Sequence, residues 1–379
     1  MGSRFPSLSP SIFQSWSKSP TTRMTLTRNV ADNQSVAERT LQAPPVNGGA
    51  CGRSRTIANF GSASRSTFRG DFGELAAMIQ RSWADNPNQS LLYSEDFLRS
   101  AFDYPGSSFD LAPSVYGDAG LLGFVAGFPR SVRWDARPAR LILNSFLTAS
   151  VTAKGAGLGL NLFADLIERC RDEGYDGTIN FCVEGDEMNR MMPAISRLLR
   201  LNTQRIFSVE FLGRLLRPAP SAPQPDISEQ DIDLFLELAS ALANKLPLAR
   251  LWTRAEAEWQ CRSRTGAITV SSRVGGRRGV LTGYLAKAAS TPPTAVVLLE
   301  DLLWGDLEPA ERAELLERFL RAAATQGARV ASCPMLGYSS VDTLTAARFR
   351  RSKRVLHTYL TFWNGFHPAP VPALYIDVL

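Results

Sequence analysis

The middle of the chain places a strand-like run, a lysine, three glycines and an amphipathic segment one after another. Residues Leu141–Leu147 are mostly apolar and predict a strand, and apolar residues recur at helical spacing from Leu160 to Cys170. Between them stands Lys154-Gly155-Ala156-Gly157-Leu158-Gly159. Glycines let a chain turn tightly and lie close to a ligand, and a helix start offers unpaired N–H groups and the positive end of its dipole. This order favours a phosphate or pyrophosphate site; a glycine-rich turn that binds nothing is the alternative.

The composition is that of a globular protein in a reducing compartment. Of the 379 residues, 44% are hydrophobic and 21% are charged, which is ordinary for a soluble protein with one large core or two smaller ones. No apolar run reaches the roughly 18 residues of a membrane span. The five cysteines are scattered without a C-x-x-C pair, which argues against a disulfide framework or a cysteine-rich zinc site. We therefore expect a cytoplasmic protein that contains no membrane span.

Histidine is too scarce for several common kinds of active site. The chain has two histidines, His357 and His367, and it has neither an H-E-x-x-H nor a G-x-S-x-G motif. A histidine-rich metal centre and a serine hydrolase are therefore disfavoured. We expect no metal, and we expect chemistry that relies on carboxylates, hydroxyls, backbone groups and a bound cofactor.

The positive charge is concentrated at the start of the chain. Residues 1–56 hold seven basic and two acidic residues, and so carry five of the six net positive charges. The rest of the chain is close to neutral, which gives no indication of nucleic-acid binding. The first 56 residues are also rich in Ser, Pro, Thr and Arg, which predicts a disordered tail. The same composition resembles a transit peptide, so targeting to an organelle stays open.

The remaining sequence repeats one order of elements twice. Leu143 corresponds to Val297, 154 positions later, and Cys182 corresponds to Cys333, 151 positions later. We interpret this offset as a duplicated domain of about 150 residues, with two unrelated α+β halves as the alternative. Four prolines between 216 and 225 predict an extended linker. The predicted organisation is therefore a tail over 1–56, a domain over 57–215, the linker over 216–225 and a second domain over 226–379.

The same patterns predict individual strands and helices along the chain. Apolar runs bounded by turn residues predict strands over Leu141–Thr148, Thr178–Val183, Ile206–Leu212 and Val355–Trp363. Helical spacing of apolar residues predicts a helix over Thr253–Cys261.

The first predicted domain resembles the GCN5-related N-acetyltransferase (GNAT) family over roughly residues 57–215. The family hallmark is Arg/Gln-x-x-Gly-x-Gly/Ala between its fourth strand and third helix, and the run from Lys154 to Gly159 fits it with lysine in the arginine position. The resemblance implies an α+β fold of two tandem GNAT-like domains, each a mixed, mostly antiparallel twisted sheet flanked by helices. It also implies a binding site for acetyl-CoA or another acyl-CoA.

Two segments hold the acyl-CoA in this family. Backbone N–H groups of the loop bind the pyrophosphate, a role that the resemblance gives here to Lys154, Gly155, Ala156, Gly157, Leu158 and Gly159. The splayed end of the fourth strand binds the pantetheine arm, a role that it gives to Phe146, Leu147 and Thr148.

The resemblance also suggests residues for the chemistry. Family members often have an Asn in the fourth helix, where Asn189 fits, and a Tyr seven residues later that protonates the leaving thiolate; here Ser196 stands in that place. Glu184 follows the predicted strand Thr178–Val183 and is our candidate for the base, with a solvated loop carboxylate as the alternative. Asn180 is expected to orient substrate or water, unless it is a satisfied polar residue on a strand.

The second predicted domain has the layout of the first without its glycine loop. The matching segment is Gly305-Asp306-Leu307-Glu308-Pro309-Ala310, whose two carboxylates would repel a pyrophosphate. It is therefore interpreted as a degenerate copy. Tandem members of the family, such as mycothiol synthases and protein N-myristoyltransferases, resemble this plan and keep a single acyl-CoA site.

Three functions are compatible with the sequence. The first is an acyl-CoA-dependent N-acyltransferase that acts on the amine of a small molecule. The second is the same transfer from an acyl carrier protein. The third, motivated by Ser196 and by the acidic segment of the second domain, is a non-catalytic protein that binds acyl-CoA or serves as a scaffold.

Overall fold

The computed structural model describes residues 64–84, 91–153, 157–220 and 226–378. The predictions for the tail over 1–56, for Lys154, Gly155 and Ala156, and for the linker residues 221–225 lie outside these residues.

The described residues of the first half form six strands and four α-helices. The strands are β1 Ser64–Thr67, β2 Pro113–Gly117, β3 Gly120–Trp134, β4 Arg137–Ala149, β5 Gly177–Val183 and β6 Asn202–Leu215. The helices are α1 Phe72–Trp83, α2 Glu95–Phe102, α3 Leu158–Asp172 and α4 Glu187–Leu198. Local sequence explains where α1 and α2 begin, because Asp71 and Ser94 accept hydrogen bonds from the backbone N–H groups of Glu74 and Phe97.

The second half has a similar order of elements. Its strands are β7 Leu248–Arg250, β8 Ala267–Val274, β9 Arg277–Ala288, β10 Thr294–Leu303, β11 Val330–Met335, β12 Arg350–Phe362 and β13 Leu374–Tyr375. Its helices are α5 Glu229–Ala243, α6 Arg254–Glu258, α7 Pro309–Thr325 and α8 Val341–Ala346, and a π-helical turn over Trp259–Ser263 continues α6. Within the described residues, no helix is both long enough and apolar enough to cross a membrane.

One twisted sheet passes through both halves in the order β1-β2-β3-β4-β5-β12-β6-β11-β10-β9-β8. Most neighbouring strands are antiparallel. The pairs β4–β5 and β10–β11 are parallel and occupy equivalent places in the two halves. The aligned pairs are Leu143 with Ile179 and Val297 with Ala331, so the offset read from the sequence corresponds to a repeated parallel unit.

The two halves exchange strands at the centre of the sheet. Strand β12 of the second half lies between β5 and β6 of the first, where His357 is aligned with Cys182 on one side and Ser208 on the other. Strand β6 in turn lies between β12 and β11, where Leu212 is aligned with Cys333. The predicted boundaries of the two domains stay a prediction, but the sheet is shared and does not divide at the linker.

Strands β4 and β5 run side by side for only part of their length. Their pairing ends at Asn144 and Asn180. Beyond this point β4 continues along β3 to Ala149, and β5 continues along β12 to Val183. The two strands therefore separate and open a cleft at one end of the sheet, at the position where α3 begins.

Small residues on β3 let α3 lie close to the sheet. A Cβ atom added at Gly123 would come within 2.8 Å of both Leu158 Cδ2 and Leu162 Cδ1. Glycine at this position therefore fixes how near the first turn of α3 approaches the cleft.

Candidate functional site

A cavity of about 510 Å³ lies where β4 and β5 separate. Its wall includes residues 144–147 of β4 and residues 180–183 of β5. The second half contributes the opposite side through Trp259, Arg264 and Tyr284. A pocket of this size, built from two halves of a chain, is typical of a small-molecule site.

A bulge in β4 shapes the floor of the cavity. The register between β3 and β4 shifts between Phe124 and Ala126, and Phe146 has a φ of 61°. Residues other than glycine rarely adopt this left-handed backbone conformation, and such backbone strain is concentrated at functional sites. The Thr148 hydroxyl donates to the Phe146 carbonyl over 3.0 Å and holds the bulge in place. Because β5 has already diverged, this edge of β4 faces the cavity instead of a neighbouring strand.

Five aromatic side chains form a continuous wall on one side of the cavity. Successive ring centroids lie 5.4 Å apart for Trp83 and Tyr93, 5.4 Å for Tyr93 and Phe97, 5.6 Å for Tyr93 and Phe146, and 5.9 Å for Phe146 and Phe128. Burial raises the pKa of Tyr93, so its hydroxyl stays neutral. A wall of this kind suits an apolar chain or an aromatic group.

Two asparagines mark the point of separation. Asn144 Nδ2 donates to Asn180 Oδ1 over 2.8 Å, and Asn180 is only 4% exposed. Within the described residues, the other amide atoms, Asn144 Oδ1 and Asn180 Nδ2, have no hydrogen-bond partner. An unsatisfied buried polar group costs about 1–3 kcal/mol. A ligand in the cavity, whose wall contains both residues, is suited to supply the missing partners.

The start of α3 is open to a ligand. Gly157 is its N-cap with a φ of 72°, and the first turn contains no acidic side chain. Apart from its chain neighbours and the backbone of its own helix, no described atom lies within 4 Å of a Cβ placed on Gly157 or Gly159. The unpaired N–H groups of this helix start therefore have space in front of them. The remaining residues of the predicted loop, Lys154, Gly155 and Ala156, lie outside the described part of the chain.

The equivalent helix start in the second half is closed. Glu308 and Glu311 form a capping box at the start of α7, in which the Glu308 N–H donates to Glu311 Oε2 over 2.9 Å. Asp306 Oδ1 accepts from the Arg278 N–H over 2.7 Å. A Cβ on Gly305 would lie 2.0 Å from the Arg278 carbonyl oxygen. The protein's own carboxylates occupy this helix start, so it is a poor place for an anion.

The structure places some of the predicted site residues together and others apart. Asn180, Phe146 and Leu147 lie in the wall of the cavity, and Thr148 supports the bulge. Their roles in binding or catalysis stay predictions.

Glu184 and Asn189 lie outside this wall. The Glu184 side chain is 62% exposed, with its Oε1 atom 3.5 Å from His357 Nε2. Asn189 Oδ1 accepts from the Tyr359 hydroxyl over 2.8 Å, which ties α4 to β12. The structure thus gives Asn189 a contact that joins a helix to the sheet, and the catalytic roles of both residues stay predictions.

A buried polar cluster that the sequence analysis missed borders the cavity. Arg130 Nε donates to both oxygens of Asp377 over 2.9 Å, and Arg250 Nη1 lies 2.7 Å from Asp377 Oδ1. The Tyr104 hydroxyl donates to Glu256 Oε1 and accepts from Arg250 Nη2 over 3.0 Å. These five side chains come from four segments that are far apart in the sequence, since only Arg250 and Glu256 are near neighbours. No local motif could therefore have indicated the cluster. Arg130 and Tyr104 belong to the cavity wall.

Burial and ion pairing set the charges of this cluster. Burial acts to raise the pKa of Asp377, but the guanidinium groups of Arg130 and Arg250 outweigh it and hold that pKa below its usual range. Asp377 is therefore ionised. Burial raises the pKa of Glu256 to about 7, against the opposing hydrogen bond from the Thr253 backbone. Glu256 is thus a carboxyl group that changes its protonation near neutral pH.

A second buried ion pair lies on the other side of the cavity. The Arg264 guanidinium stacks over the Tyr284 ring, 3.3 Å from its centroid, and its Nη1 atom donates to Glu300 Oε2 over 2.6 Å. Burial raises the pKa of Glu300, and the Arg264 charge opposes this shift. Within the described residues, no group of three or more His, Cys, Asp or Glu side chains is placed to hold a metal ion.

Comparison with known proteins identifies the fold. No protein-family model matches the sequence, and the search of curated proteins gives no match. Saccharomyces cerevisiae N-myristoyltransferase with bound myristoyl-CoA aligns with a TM-score of 0.63 and 12% identity, over 83% of this chain and 82% of its own. A second structure of that enzyme with myristoyl-CoA gives 0.61 and 13% identity, over 83% and 86%. A GCN5-related N-acetyltransferase from Anabaena variabilis gives 0.47 and 12% identity, over 79% and 72%.

Identity this low speaks for the fold alone. The chain has a fold of the N-myristoyltransferase type, with two GNAT-like halves. This confirms the predicted α+β fold of two tandem GNAT-like units with a mixed, mostly antiparallel sheet.

Proposed function

We propose that this chain of tandem GNAT fold is an acyl-CoA-dependent N-acyltransferase. The observation that carries the proposal is the separation of β4 and β5 beyond Asn144 and Asn180, with the bulge at Phe146 in the opened edge. Two features that suit an acyl-CoA adjoin the opening: the open start of α3 and the aromatic wall. Structures that share this fold include an N-myristoyltransferase holding myristoyl-CoA, which supports an acyl-CoA donor.

The donor fits the site in three parts. Its pyrophosphate suits the N–H groups at the start of α3, at Gly157, Leu158 and Gly159. Its extended pantetheine arm suits the edge of β4 over residues 146–148, because backbone groups there face the cavity. Its acyl chain suits the aromatic wall, where each buried CH₂ group contributes about 0.8 kcal/mol.

The protein needs to contribute little covalent chemistry of its own to this reaction. An amine must lose a proton and attack the thioester carbonyl, and the thiolate must leave. Most of the acceleration comes from holding the amine and the thioester together. The backbone N–H groups at the bulge, at Phe146 and Leu147, are suited to stabilise the negative charge that develops on the carbonyl oxygen.

We further propose that the acceptor is the amine of a small molecule. The cavity of about 510 Å³ must hold both the acyl end of the donor and the acceptor, which favours a compact acceptor. The polar side of the cavity, with Arg264, Tyr284 and Tyr104 in its wall, is the part suited to bind it.

A donor and acceptor screen tests this function. The full chain is incubated with acetyl-, octanoyl- and myristoyl-CoA and with small amines, amino acids and short peptides, and free CoA thiol and acylated products are measured. Acylation of a small amine is the expected result. Transfer only from acyl carrier protein would favour that donor instead, whereas acyl-CoA binding without any transfer would contradict an enzyme.

A matched pair of variants tests where the donor binds. Gly159→Glu places a carboxylate at the start of α3, and Gly159→Gln places a neutral side chain of similar size there; both have room for a Cβ. Repulsion of the pyrophosphate should weaken acyl-CoA binding at least tenfold more for Gly159→Glu, or about 1.4 kcal/mol. Equal affinities of the two variants by calorimetry would place the pyrophosphate elsewhere.

A further inference from the structure

A hydrogen bond links the wall of the main cavity to the wall of a second, smaller one. The smaller cavity has a volume of about 270 Å³, and its wall contains Glu256 and Thr253. Tyr104 lies in the wall of the main cavity, and Arg130 lies in the walls of both. Since the Tyr104 hydroxyl donates to Glu256 Oε1, this bond joins a group facing the main cavity to a group facing the smaller one.

The partners of the Tyr104 hydroxyl fix its direction. Its oxygen accepts from Arg250 Nη2 over 3.0 Å and its proton goes to Glu256. A phenol oxygen has two lone pairs, so one lone pair is left for a proton donor in the main cavity. The Arg250 hydrogen bond also orients the hydroxyl proton towards Glu256, because an arginine can only donate.

Glu256 is held in position by the start of its own helix. Thr253 caps α6, and its N–H and hydroxyl groups both donate to Glu256 Oε2 over 2.8 Å. This capping box leaves Oε1 directed at Tyr104. Glutamate side chains are seldom fully buried unless they are paired, yet Glu256 is only 7% exposed. Its capping role alone does not require this burial.

Resting on the proposed function, we infer that Tyr104 and Glu256 relay the proton of the acceptor amine from the main cavity to solvent through the smaller one. The amine arrives as an ammonium ion. One of its protons passes to Tyr104 Oη while the phenol proton passes to Glu256 Oε1. Glu256 then releases this proton to water in the smaller cavity and is ionised again, and the phenol is unchanged.

The remaining steps balance without another reagent. The neutral amine nitrogen forms a bond to the thioester carbon, and the carbon–sulfur bond breaks with its electron pair going to sulfur. The second proton lost from nitrogen protonates the thiolate. One proton is thus released for each ammonium ion acylated, and the relay carries it.

The charges around Glu256 suit this role. Burial raises the pKa of Glu256 to about 7 and the charge of Asp377 adds to the shift, so the group takes up and releases a proton near neutral pH. The facing groups are Arg250 at 3.6 Å and the ion pairs of Asp377 with Arg130 and Arg250. Asp377 keeps its charge throughout, because both arginines lower its pKa.

The pH dependence of kcat/KM distinguishes a relay from a structural role. Glu256→Gln and Tyr104→Phe are compared with the wild type on an alkylamine acceptor. The deficit of each variant should be largest near neutral pH and shrink about tenfold per pH unit towards the pKa of the amine, because more amine is then already deprotonated. Glu237→Gln, an exposed carboxylate paired with Arg278, is the control and should not change the profile. A deficit that is constant with pH would overturn the relay.

Chemical rescue gives a second readout. Glu256→Ala enlarges the smaller cavity, and added formate supplies a carboxylate there. Formate should restore activity to Glu256→Ala near neutral pH and should not restore Tyr104→Phe. Rescue of neither variant, or of both equally, would contradict the proposed path.

Infrared difference spectra test the relay without turnover. Between about pH 5 and pH 9, the wild type should show a carboxyl C=O band that titrates near neutral pH and is missing in Glu256→Gln. Absence of that band overturns the relay whatever the activity. Binding of acyl-CoA without acylation of any amine would overturn the proposed function and the relay's part in it. Amine acylation with an unchanged profile in Glu256→Gln would overturn the relay alone.

Discussion

Asn144 Nδ2 donates to Asn180 Oδ1 over 2.8 Å at the last residue pair where β4 and β5 lie side by side. At the point where the two backbones separate, a hydrogen bond between side chains thus joins the last pair of residues in the parallel ladder. It also orients the two amides so that Asn180 Nδ2, within the described residues, is left without a partner. The end of the sheet pairing and the beginning of the cavity are therefore the same feature.

The substitution Asn180→Asp should weaken donor binding. The new carboxylate keeps an oxygen for Asn144 Nδ2, but it puts an acceptor where the partnerless N–H₂ group stands. We expect the Kd for acyl-CoA to rise about tenfold, or about 1.4 kcal/mol, measured by calorimetry. Thr178→Val is the control, because the Thr178 hydroxyl is also buried without a partner among the described residues but lies outside the cavity wall. Equal affinities of the two variants would show that Asn180 does not contribute to donor binding.

Replacing Gly123 with Ala should destabilise the chain. The added Cβ would meet Leu158 and Leu162 at 2.8 Å, which pushes the first turn of α3 off the sheet. Overpacking of this kind costs about 1–3 kcal/mol, to be measured by denaturant unfolding. Gly159→Ala makes the same change in α3 with no described atom within 4 Å, so it should be neutral or stabilising by up to about 1 kcal/mol. A loss of stability in both would mean that crowding is not the cause.

Replacing Asp377 with Asn should cause a large loss of stability. Arg130 and Arg250, 4% and 1% exposed, would keep their charges but lose the carboxylate that they share, and breaking a buried ion pair in this way costs about 3–5 kcal/mol. The wild-type contribution is present above the unfolded Asp pKa of about 3.9 and is lost as pH falls through the lower folded pKa. Unfolding curves at neutral and acidic pH check this. A variant as stable as the wild type at neutral pH would show that the arginines find other partners.

The Glu256→Gln variant should change how stability depends on pH. The folded pKa of about 7 lies above the unfolded value of about 4.3. The folded state therefore binds the extra proton between these values, and the free energy of unfolding falls as pH rises through this window. Gln cannot ionise, so the variant should lose less stability between about pH 5 and pH 8, by on the order of 1–3 kcal/mol. If urea unfolding gave the two proteins parallel curves of stability against pH, the pKa of Glu256 would not be raised in the folded state.

Neither half should fold alone. A chain of residues 57–218 lacks β12 and leaves β5 and β6 with open edges, which favour aggregation. We expect that chain to be insoluble or inactive, and co-expression with residues 226–379 to give a soluble complex by size-exclusion chromatography. A soluble, fully active 57–218 would contradict this. Cutting the intact protein within 221–225 is the control, and the pieces should stay together.

The sequence predicted where the strands and helices lie along the chain better than it predicted which strands lie side by side in the sheet. Strands expected over Ile206–Leu212 and Val355–Trp363 are observed over Asn202–Leu215 and Arg350–Phe362. Apolar alternation shows that such a segment is a strand. It does not show which strand lies beside it, so the exchange of β6 and β12 could not be predicted. The helix expected over Thr253–Cys261 continues instead as a π-helical turn, which has no periodic signature.

Part of the candidate site could likewise be predicted from the sequence, and part could not. The edge of β4 over 146–148 and the start of α3 follow from a contiguous motif, and the structure brings them together. Tyr104 and Glu256 are 152 residues apart, and each looks ordinary in its own segment, as a turn residue and a helix-capping carboxylate. Only the folded arrangement of both halves brings them into contact.

Because the strands are exchanged, the pairing of β5 can be completed only late in the synthesis of the chain. When β5 leaves the ribosome, the neighbour of its far edge, Arg350–Phe362, has not been made. The edge of β5, whose residues 180–183 belong to the cavity wall, is therefore unpaired until the last part of the protein has been synthesised. Contacts so distant in sequence form slowly, and exposed edges in the interval attract other chains. Nascent chains stalled before residue 350 should consequently be the species that depends most on chaperones.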